Sequence, residues 1–155
     1  LYSYGELRRP KGMAKALVKA RSQKPITTTR QLRQVLLPWL PKAKENKILA
    51  QVFQAVRIEV NQELEALKAF LVQVPQVLAP NGRLSVISYH SLEDRLVKRF
   101  IRSGKFEGEA EKDFYGNVTV PLKKVGRLIV PSTEEIAKNN RARSAKLRIA
   151  QRLEQ

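Results

Sequence analysis

One polar stretch of the chain has residue types that could do chemistry at a site. The run from Ser88 to Arg95 reads Ser-Tyr-His-Ser-Leu-Glu-Asp-Arg, between an apolar segment at residues 84–89 and a charged amphipathic segment at residues 91–102. The two segments predict a strand followed by a helix. Open α/β sheets bind ligands outside the carboxyl ends of their strands, so this junction is a candidate site. Glu93 and Arg95 follow the lone histidine, His90, and such a set can position a polar edge of a substrate.

Structural roles compete with this interpretation. Ser91 and Asp94 have the spacing of a capping box, which would only satisfy amide groups at the start of the helix. Asp94 and Lys98 are four residues apart, which predicts a surface ion pair. His90 can equally be a structural histidine. The sequence has neither a nucleophile elbow nor a phosphate-binding glycine loop, which argues against a hydrolase or a nucleotide kinase.

The overall charge indicates a polyanionic partner. The 155 residues contain 30 lysines and arginines against 14 acidic residues, a formal charge of +16. With no cysteine and one histidine, we expect neither disulfides nor a metal site. No apolar run is long enough to span a bilayer, and no secretory signal is present, so we expect a cytoplasmic protein without a membrane partner. The chain begins at Leu1 without an initiator methionine, and we expect it to be a fragment of a longer protein.

A basic cluster near the end of the chain favours RNA as the partner. Residues 139–148 include Arg141, Arg143 and Lys146, and guanidinium and ammonium groups bind phosphate oxygens. The competing interpretation is a solvated basic face, and composition alone does not separate RNA from DNA or an anionic membrane. Arg57 and Asn61 lie one helical turn apart beside an apolar stripe, where a snorkelling arginine with a polar neighbour is the plainer interpretation.

The first part of the chain has the apolar spacing of helices. A basic helix is predicted over residues 10–21, and the hydroxyls of residues 27–29 offer N-caps for a second helix that Pro38 and Pro41 end. Apolar residues at steps of three and four from Lys47 to Val74 predict one helix about 40 Å long. Residues 1–72 are therefore predicted to form an all-α unit, in which the first two helices cover the long one.

The pattern changes after Pro75 to short strands and turns. Turn residues at 79–82 precede a strand over residues 83–89, whose lack of strict alternation predicts cover on both faces. A loop over residues 104–117, a second strand over residues 122–130 and a helix capped by Ser132 and Glu135 follow. Residues 145–150 alternate as a strand that turns its cations outward, although a helix also fits their spacing. This order is half of a doubly wound α/β unit whose parallel neighbour is not in the chain.

Three blocks in this order carry a resemblance to a known family. Residues 52–61, 88–98 and 139–148 resemble the bacterial small-subunit ribosomal RNA cytosine-N4 methyltransferases of the MraW type. The resemblance implies the later half of a Rossmann-like S-adenosylmethionine-dependent methyltransferase domain at residues 73–155, with an antiparallel terminal strand, preceded by an all-α RNA-recognition insertion at residues 1–72. It also implies methylation of the N4 amine of a cytidine in the decoding region of 16S rRNA, with the rRNA or the assembling 30S subunit as partner.

The resemblance assigns roles only to positions that match these blocks. Tyr89, Asn81 and Asn140 depart from the usual family residues. The cofactor loop, the acidic ribose ligand and the block that holds the target amine all precede Leu1 in such proteins, so no S-adenosylmethionine-binding residue is expected in this chain, which we expect to be inactive alone. The expected catalytic-edge residues are His90, Ser91, Glu93, Asp94 and Arg95, where His90 or Glu93 hydrogen-bonds the cytosine or relays a proton. The expected RNA contacts are Arg57, Asn61, Arg141, Arg143 and Lys146.

Two other classes of function remain open from the sequence. One is a non-catalytic RNA-binding or ribosome-assembly module, in which the strands are only a folding scaffold. The other is a nucleoid-type protein that prefers duplex DNA over folded RNA. The sequence does not define the oligomeric state.

Overall fold

The chain divides between Glu63 and Leu64 into two units. The computed structural model describes residues 1–5, 7, 10–108, 110, 114–116 and 119–154. The domain boundary expected near residue 72 lies inside a helix, because the apolar residues Leu71 and Val74 of that helix pack in the core of the second unit.

The first unit is helical, as the apolar spacing predicts. Its α-helices are α1 (Tyr2–Gly5), α2 (Pro10–Gln23), α3 (Thr29–Leu36) and α4 (Glu45–Asn61), with 3-10 turns at Leu37–Trp39 and Lys42–Lys44. Thr28 caps α3 by accepting a hydrogen bond from the Gln31 N–H, and the Gln31 side chain accepts from the Thr28 N–H. The two helices predicted before the long one are confirmed as α2 and α3.

The core of the first unit explains a glycine inside a helix. Its buried side chains are Leu7, Met13, Leu36, Leu40, Leu49 and Val52. A β-carbon at Gly12 of α2 would lie 2.3 Å from a ring carbon of Trp39, well inside van der Waals contact. Gly12 therefore lets the indole lie directly against the α2 backbone.

The prediction of one long helix is wrong, because the chain breaks at Gln62 between α4 and α5 (Glu63–Val77). Gln62 has φ 52° and ψ 38°, the left-handed conformation that ends helices. Its N–H donates to the carbonyls of Ile58 and Glu59, and its side-chain amide donates to the Glu59 carbonyl at 2.7 Å. Helix α5 also continues to Val77 with Pro75 in its last turn, so Pro75 does not end it.

The second unit contains a sheet with β3 at its centre. The strands are β1 (Arg83–Ser88), β2 (Leu122–Ile129) and β3 (Lys146–Arg152), in the order β1-β3-β2. Both outer strands pair antiparallel with β3, so β1 and β2 run in the same direction. The remaining elements are α6 (Ser91–Ser103), α7 (Thr133–Lys138) and a 3-10 turn at Asn140–Ser144. The three predicted strands are confirmed, and β3 is a strand, not the alternative helix.

The turn before β1 and the cap of α7 also follow the predicted patterns. The Gly82 N–H donates to the Ala79 carbonyl at 2.8 Å. The Ser132 hydroxyl caps α7 by accepting from the Glu135 N–H at 3.1 Å, but among the described residues the Glu135 side chain makes no return bond, so only half of the predicted capping box is present. Part of the predicted loop over residues 104–117 cannot be compared, because residues 109, 111–113 and 117 lie outside the described residues.

Helices α5 and α6 cover one face of the sheet. Their core contains Leu71, Val74, Leu84, Val97, Phe100, Ile101, Leu122 and Ala150. The prediction that β1 is covered on both faces is wrong for this chain, because Ser85 is exposed and 57% of Ile87 is exposed. Among the described residues, no helix combines the length and apolarity that crossing a bilayer requires.

The prediction that β3 turns its cations outward is also wrong. Lys146 and Arg148 alternate along β3 with the buried Ala150 and share its face, and both contact Asp94 of α6. The Asp94 carboxylate on the covering helix accepts hydrogen bonds from both and offsets part of their positive charge, which permits cations on the covered face.

Candidate functional site

The strand ends bring the sequence-predicted residues of the second unit to one edge of the sheet. Since β1 and β2 are parallel and β3 is antiparallel to both, β1 and β2 end at the edge where β3 begins. The register agrees, because Ser88 pairs with Lys146 and Ile129 pairs with Leu147. His90 and the start of α6 follow β1 here, and the 3-10 turn with Arg141 and Arg143 leads into β3.

His90 and Glu93 hold each other at the start of α6. His90 is the N-cap, with φ −134° and ψ 162°, and its Nδ1 accepts a hydrogen bond from the Glu93 N–H at 3.4 Å. In return, Oε2 of Glu93 accepts from the N–H of Tyr89 at 2.9 Å and of His90 at 3.3 Å. The predicted Ser91–Asp94 capping box is therefore wrong by one residue. Imidazole is not among the preferred N-cap side chains, whereas the serine hydroxyl is. The sequence pattern therefore favoured Ser91 over His90 as the N-cap.

The cap determines which nitrogen of His90 carries its proton. Because Nδ1 accepts a hydrogen bond, the proton of the neutral ring lies on Nε2. Nε2 lies 3.2 Å from Oε1 of Glu93, but this pair does not have hydrogen-bond geometry, and Nε2 has no other partner among the described residues. The two groups thus place an N–H donor beside a carboxylate oxygen that takes no part in the cap.

Asp94 is turned inward to β3. Its carboxylate accepts from Nε and Nη2 of Arg148 at 2.7 Å and 3.2 Å, and from Nζ of Lys146 at 3.3 Å. The predicted Asp94–Lys98 surface pair is wrong, because Asp94 is 8% exposed and engaged with β3. Burial alone would raise the pKa of Asp94, but hydrogen bonds and the positive charges of Arg148 and Lys146 outweigh it and hold that pKa below its usual value.

Two further predicted residues lie on the same helix start. Ser91 and Arg95, the first and fifth residues of α6, are exposed. The structure thus brings all five predicted catalytic-edge residues to the start of α6. Nε2 of His90 and Oε1 of Glu93 lie side by side there, whereas the Asp94 carboxylate holds α6 against β3.

Arg141 and Arg143 are displayed by an anchored turn. The Asn139 side chain accepts from the Arg141 N–H at 3.1 Å and caps the 3-10 turn, and Ala142 between the two arginines is buried. Both arginines are exposed, and neither guanidinium has a hydrogen-bond partner among the residues that the structure describes. Lys146, the third predicted RNA contact here, is 39% exposed and bound to Asp94.

Arg57 and Asn61 belong to the helical unit instead. Arg57 donates from Nε and Nη2 to the two carboxylate oxygens of Glu63, at 2.7 Å and 3.0 Å, and Asn61 donates to Glu63 at 3.2 Å. The two residues do lie together, as the spacing predicts, and Glu63 fixes them at the end of α4.

Sequence reasoning missed Arg148 as a site residue. Arg148 makes the shortest bond to Asp94, across 54 positions of sequence. The only local signal was that Arg148 alternates with apolar neighbours on a strand, and such a signal does not identify a partner on another element.

The comparisons with known proteins all match one protein family. A family model described as the MraW methylase family matches residues 1–153. Ribosomal RNA small subunit methyltransferase H of Christiangramia forsetii is 62% identical over 152 residues, which cover 98% of this chain and 50% of the relative. The proteins of the same name from Flavobacterium johnsoniae and Parabacteroides distasonis are 60% and 54% identical, and again 98% of this chain covers 50% of each relative.

The chain therefore spans about half the length of the curated relatives it matches. Because the family model covers nearly all of the chain, from the helical unit to β3, both units are part of the match. The chain belongs to the MraW methylase family.

Proposed function

We propose that the protein containing this chain is an S-adenosylmethionine-dependent methyltransferase that methylates the N4 amine of a cytidine in the decoding region of small-subunit rRNA. On this proposal, the second unit is the later half of a Rossmann-like domain and the helical unit is an RNA-recognition insertion. The observation that carries the proposal is the donor and acceptor pair of His90 and Glu93, fixed at the ligand-binding edge of the sheet in a member of this family.

The pair is complementary to the edge of cytosine. Cytosine presents its N3 acceptor directly beside the N4 amine, which donates. Nε2 of His90 is buried in this structure, so once it is uncovered its N–H would donate to N3, and Oε1 of Glu93, 3.2 Å from Nε2, would accept a hydrogen bond from the amine. These two bonds would orient the amine, and orientation alone can supply a large part of a rate enhancement.

Glu93 also has a proton to accept in this scheme. If the amine nitrogen took the methyl group from the sulfonium donor, the carbon–sulfur bond would break as the carbon–nitrogen bond formed, and the positively charged nitrogen would have to lose one proton. Oε1 is the carboxylate oxygen that the cap leaves unengaged, because Oε2 accepts both backbone N–H groups. Oε1 therefore takes the proton, and Asp94 keeps α6 in place through Arg148.

The described residues do not by themselves fit S-adenosylmethionine, which would supply the methyl group. Ribose hydroxyls require an acidic partner, and neither carboxylate of the α6 start is left for one in this scheme. Asp94 is held by Arg148 and Lys146, Oε2 of Glu93 accepts in the cap, and Oε1 of Glu93 is assigned to the cytosine amine. We place the pocket in the half of the relatives that the chain does not match. Titration calorimetry of this chain alone with S-adenosylmethionine should show no binding, and a micromolar constant would overturn this placement.

The reaction itself is tested with the full-length enzyme. Small subunits from cells that lack the modification are incubated with enzyme and S-adenosylmethionine, and the digested rRNA is analysed by mass spectrometry. We expect N4-methylcytidine in a fragment from the decoding region. RNA binding without any methylated nucleoside would favour the non-catalytic binding module instead, and tighter binding to duplex DNA would favour the nucleoid-type protein.

A further inference from the structure

A cationic cleft lies between α6 and the β2 side of the sheet. It encloses about 230 Å³ within the second unit. Lys98 and Arg102 line it from α6, and Lys124 and Arg127 line it from β2. Aliphatic side chains, among them Ile101 and Val125, form the apolar part of its lining.

A bulge in β2 shapes one wall of this cleft. Val125 pairs with Ile149 and Ile129 pairs with Leu147, so residues 126–128 stand opposite the single residue Arg148. Gly126 at the start of the bulge has φ 65°, a conformation that side chains rarely adopt. Bulges bend a strand and redirect side chains, often beside functional sites. Arg127 lies within this bulge and lines the cleft.

The charges of the cleft are not neutralised by neighbouring residues. Lys98, Arg102, Lys124 and Arg127 are all exposed, and none of them has an ion-pair or hydrogen-bond partner in the part of the chain that the structure describes. Arg148, which also lines the cleft, is already bound by Asp94. The cleft therefore combines four unpaired cations with aliphatic lining residues, an arrangement that suits a polyanion whose charges are separated by less polar groups.

We propose that this cleft binds the sugar-phosphate backbone of the RNA substrate. The four cations bind phosphate oxygens, and the aliphatic lining residues contact ribose. The bulged end of β2 leads to the sheet edge that carries Arg141 and Arg143, so an RNA strand in the cleft would continue toward the candidate site. This inference rests on the proposed function, because it takes the substrate to be RNA.

Three double variants of the full-length enzyme test the proposal, and each removes one lysine and one arginine. One variant, Lys124→Gln/Arg127→Gln, removes both cations from the β2 side of the cleft. Another, Lys98→Gln/Arg102→Gln, removes both cations from the α6 side. Arg83→Gln/Lys123→Gln is the matched control, because both residues are exposed on the sheet opposite Gln151 and neither lines the cleft. The affinity for a decoding-region RNA fragment is measured by fluorescence anisotropy over a series of salt concentrations, and circular dichroism checks that each variant is folded.

We expect each cleft variant to bind roughly tenfold more weakly and to lose about 1.4 from the slope of log affinity against log salt, since each phosphate contact contributes about 0.7 on a single strand. The control variant should keep both values. Equal effects in all three variants would show a nonspecific charge effect and overturn the proposal, as would unchanged binding in both cleft variants.

Two further measurements identify the ligand and separate this proposal from the proposed function. Inorganic phosphate or a free nucleotide that competes at micromolar concentration would indicate a small-anion site instead, and duplex DNA that competes better than RNA would also contradict the proposal. Absence of N4-methylcytidine in the wild-type reaction would contradict the proposed function. If the wild-type enzyme methylates the RNA and both cleft variants keep the wild-type RNA affinity, only the role of the cleft is contradicted.

Discussion

The carboxylate of Asp94 in the first turn of α6 is held by two hydrogen bonds from the guanidinium of Arg148 on β3, at 2.7 Å and 3.2 Å. This bidentate pair connects the start of α6 to the central strand of the sheet. His90 and Glu93 belong to the same helical start. The ion pair therefore controls where the candidate site lies relative to the strand ends.

Asp94→Asn should destabilise the protein by about 3 kcal/mol, because it leaves Arg148 without its charged partner in a mostly buried position. The free energy of unfolding is measured by urea denaturation. Glu134→Gln is the control, since Glu134 and Lys138 form a pair whose side chains are 76% and 75% exposed, and its loss should cost no more than about 0.5 kcal/mol. Equal effects of the two substitutions would contradict a structural role for the Asp94 pair.

Acid should remove the same contribution in the wild-type protein. The pKa of Asp94 is lower in the folded state than in the unfolded state, so the folded state binds the proton less readily. The stabilisation is thus fully present above the unfolded-state pKa of about 3.9 and is lost as the pH falls through the lower folded-state value. Unfolding free energies measured between about pH 6 and pH 2 should fall more steeply for the wild type than for Asp94→Asn. Parallel curves would contradict this assignment.

Two substitutions of His90 separate its role as the N-cap of α6 from its proposed role as a hydrogen-bond donor to cytosine. His90→Asn keeps a good N-cap and removes Nε2–H, whereas His90→Ala removes both and should cost about 1 kcal/mol of stability. In the full-length enzyme, both variants should lower the rate of methyl transfer at saturating RNA while RNA affinity is unchanged. Full turnover in His90→Asn would contradict the proposed hydrogen bond to cytosine.

Replacing Arg141 and Arg143 with glutamine should weaken RNA binding and flatten its salt dependence by about 1.4 in the log-log slope, as expected for two phosphate contacts on a single strand. Replacing both with lysine is the control, because it keeps the charge and removes only the planar fork. The lysine variant should retain most of the slope. An unaltered slope in the glutamine variant would count against both arginines as contacts.

Local patterns predicted the elements of this fold but not where they interact. The helix capped by Thr28, the helix capped by Ser132 and all three strands follow from turn residues and hydrophobic spacing. The break at Gln62 does not, because apolar residues keep helical steps across it and glutamine gives no sign of a left-handed conformation. The pairing of Asp94 with Arg148 and Lys146 is equally invisible, since it depends on how α6 packs on β3.

The same distinction applies to the candidate site. The position of His90 and Glu93 after a strand was enough to identify the edge of the sheet, and the anchored turn brings Arg141 and Arg143 to it. The capping register was predicted one residue too late, because serine is a better cap than histidine in general. The cationic cleft was not predicted, since its four charges come from two elements and a bulge.

The central position of β3 has a consequence for biosynthesis. Among the residues that the structure describes, β1 and β2 pair only with residues 146–152, which follow in the chain by as much as 68 positions, from Arg83 to Gln151. While the ribosome is still translating those codons, the edges of β1 and β2 that pair with β3 are exposed. Folding of this unit therefore follows synthesis of its last strand, and until then the nascent chain exposes strands that chaperones must keep from aggregating.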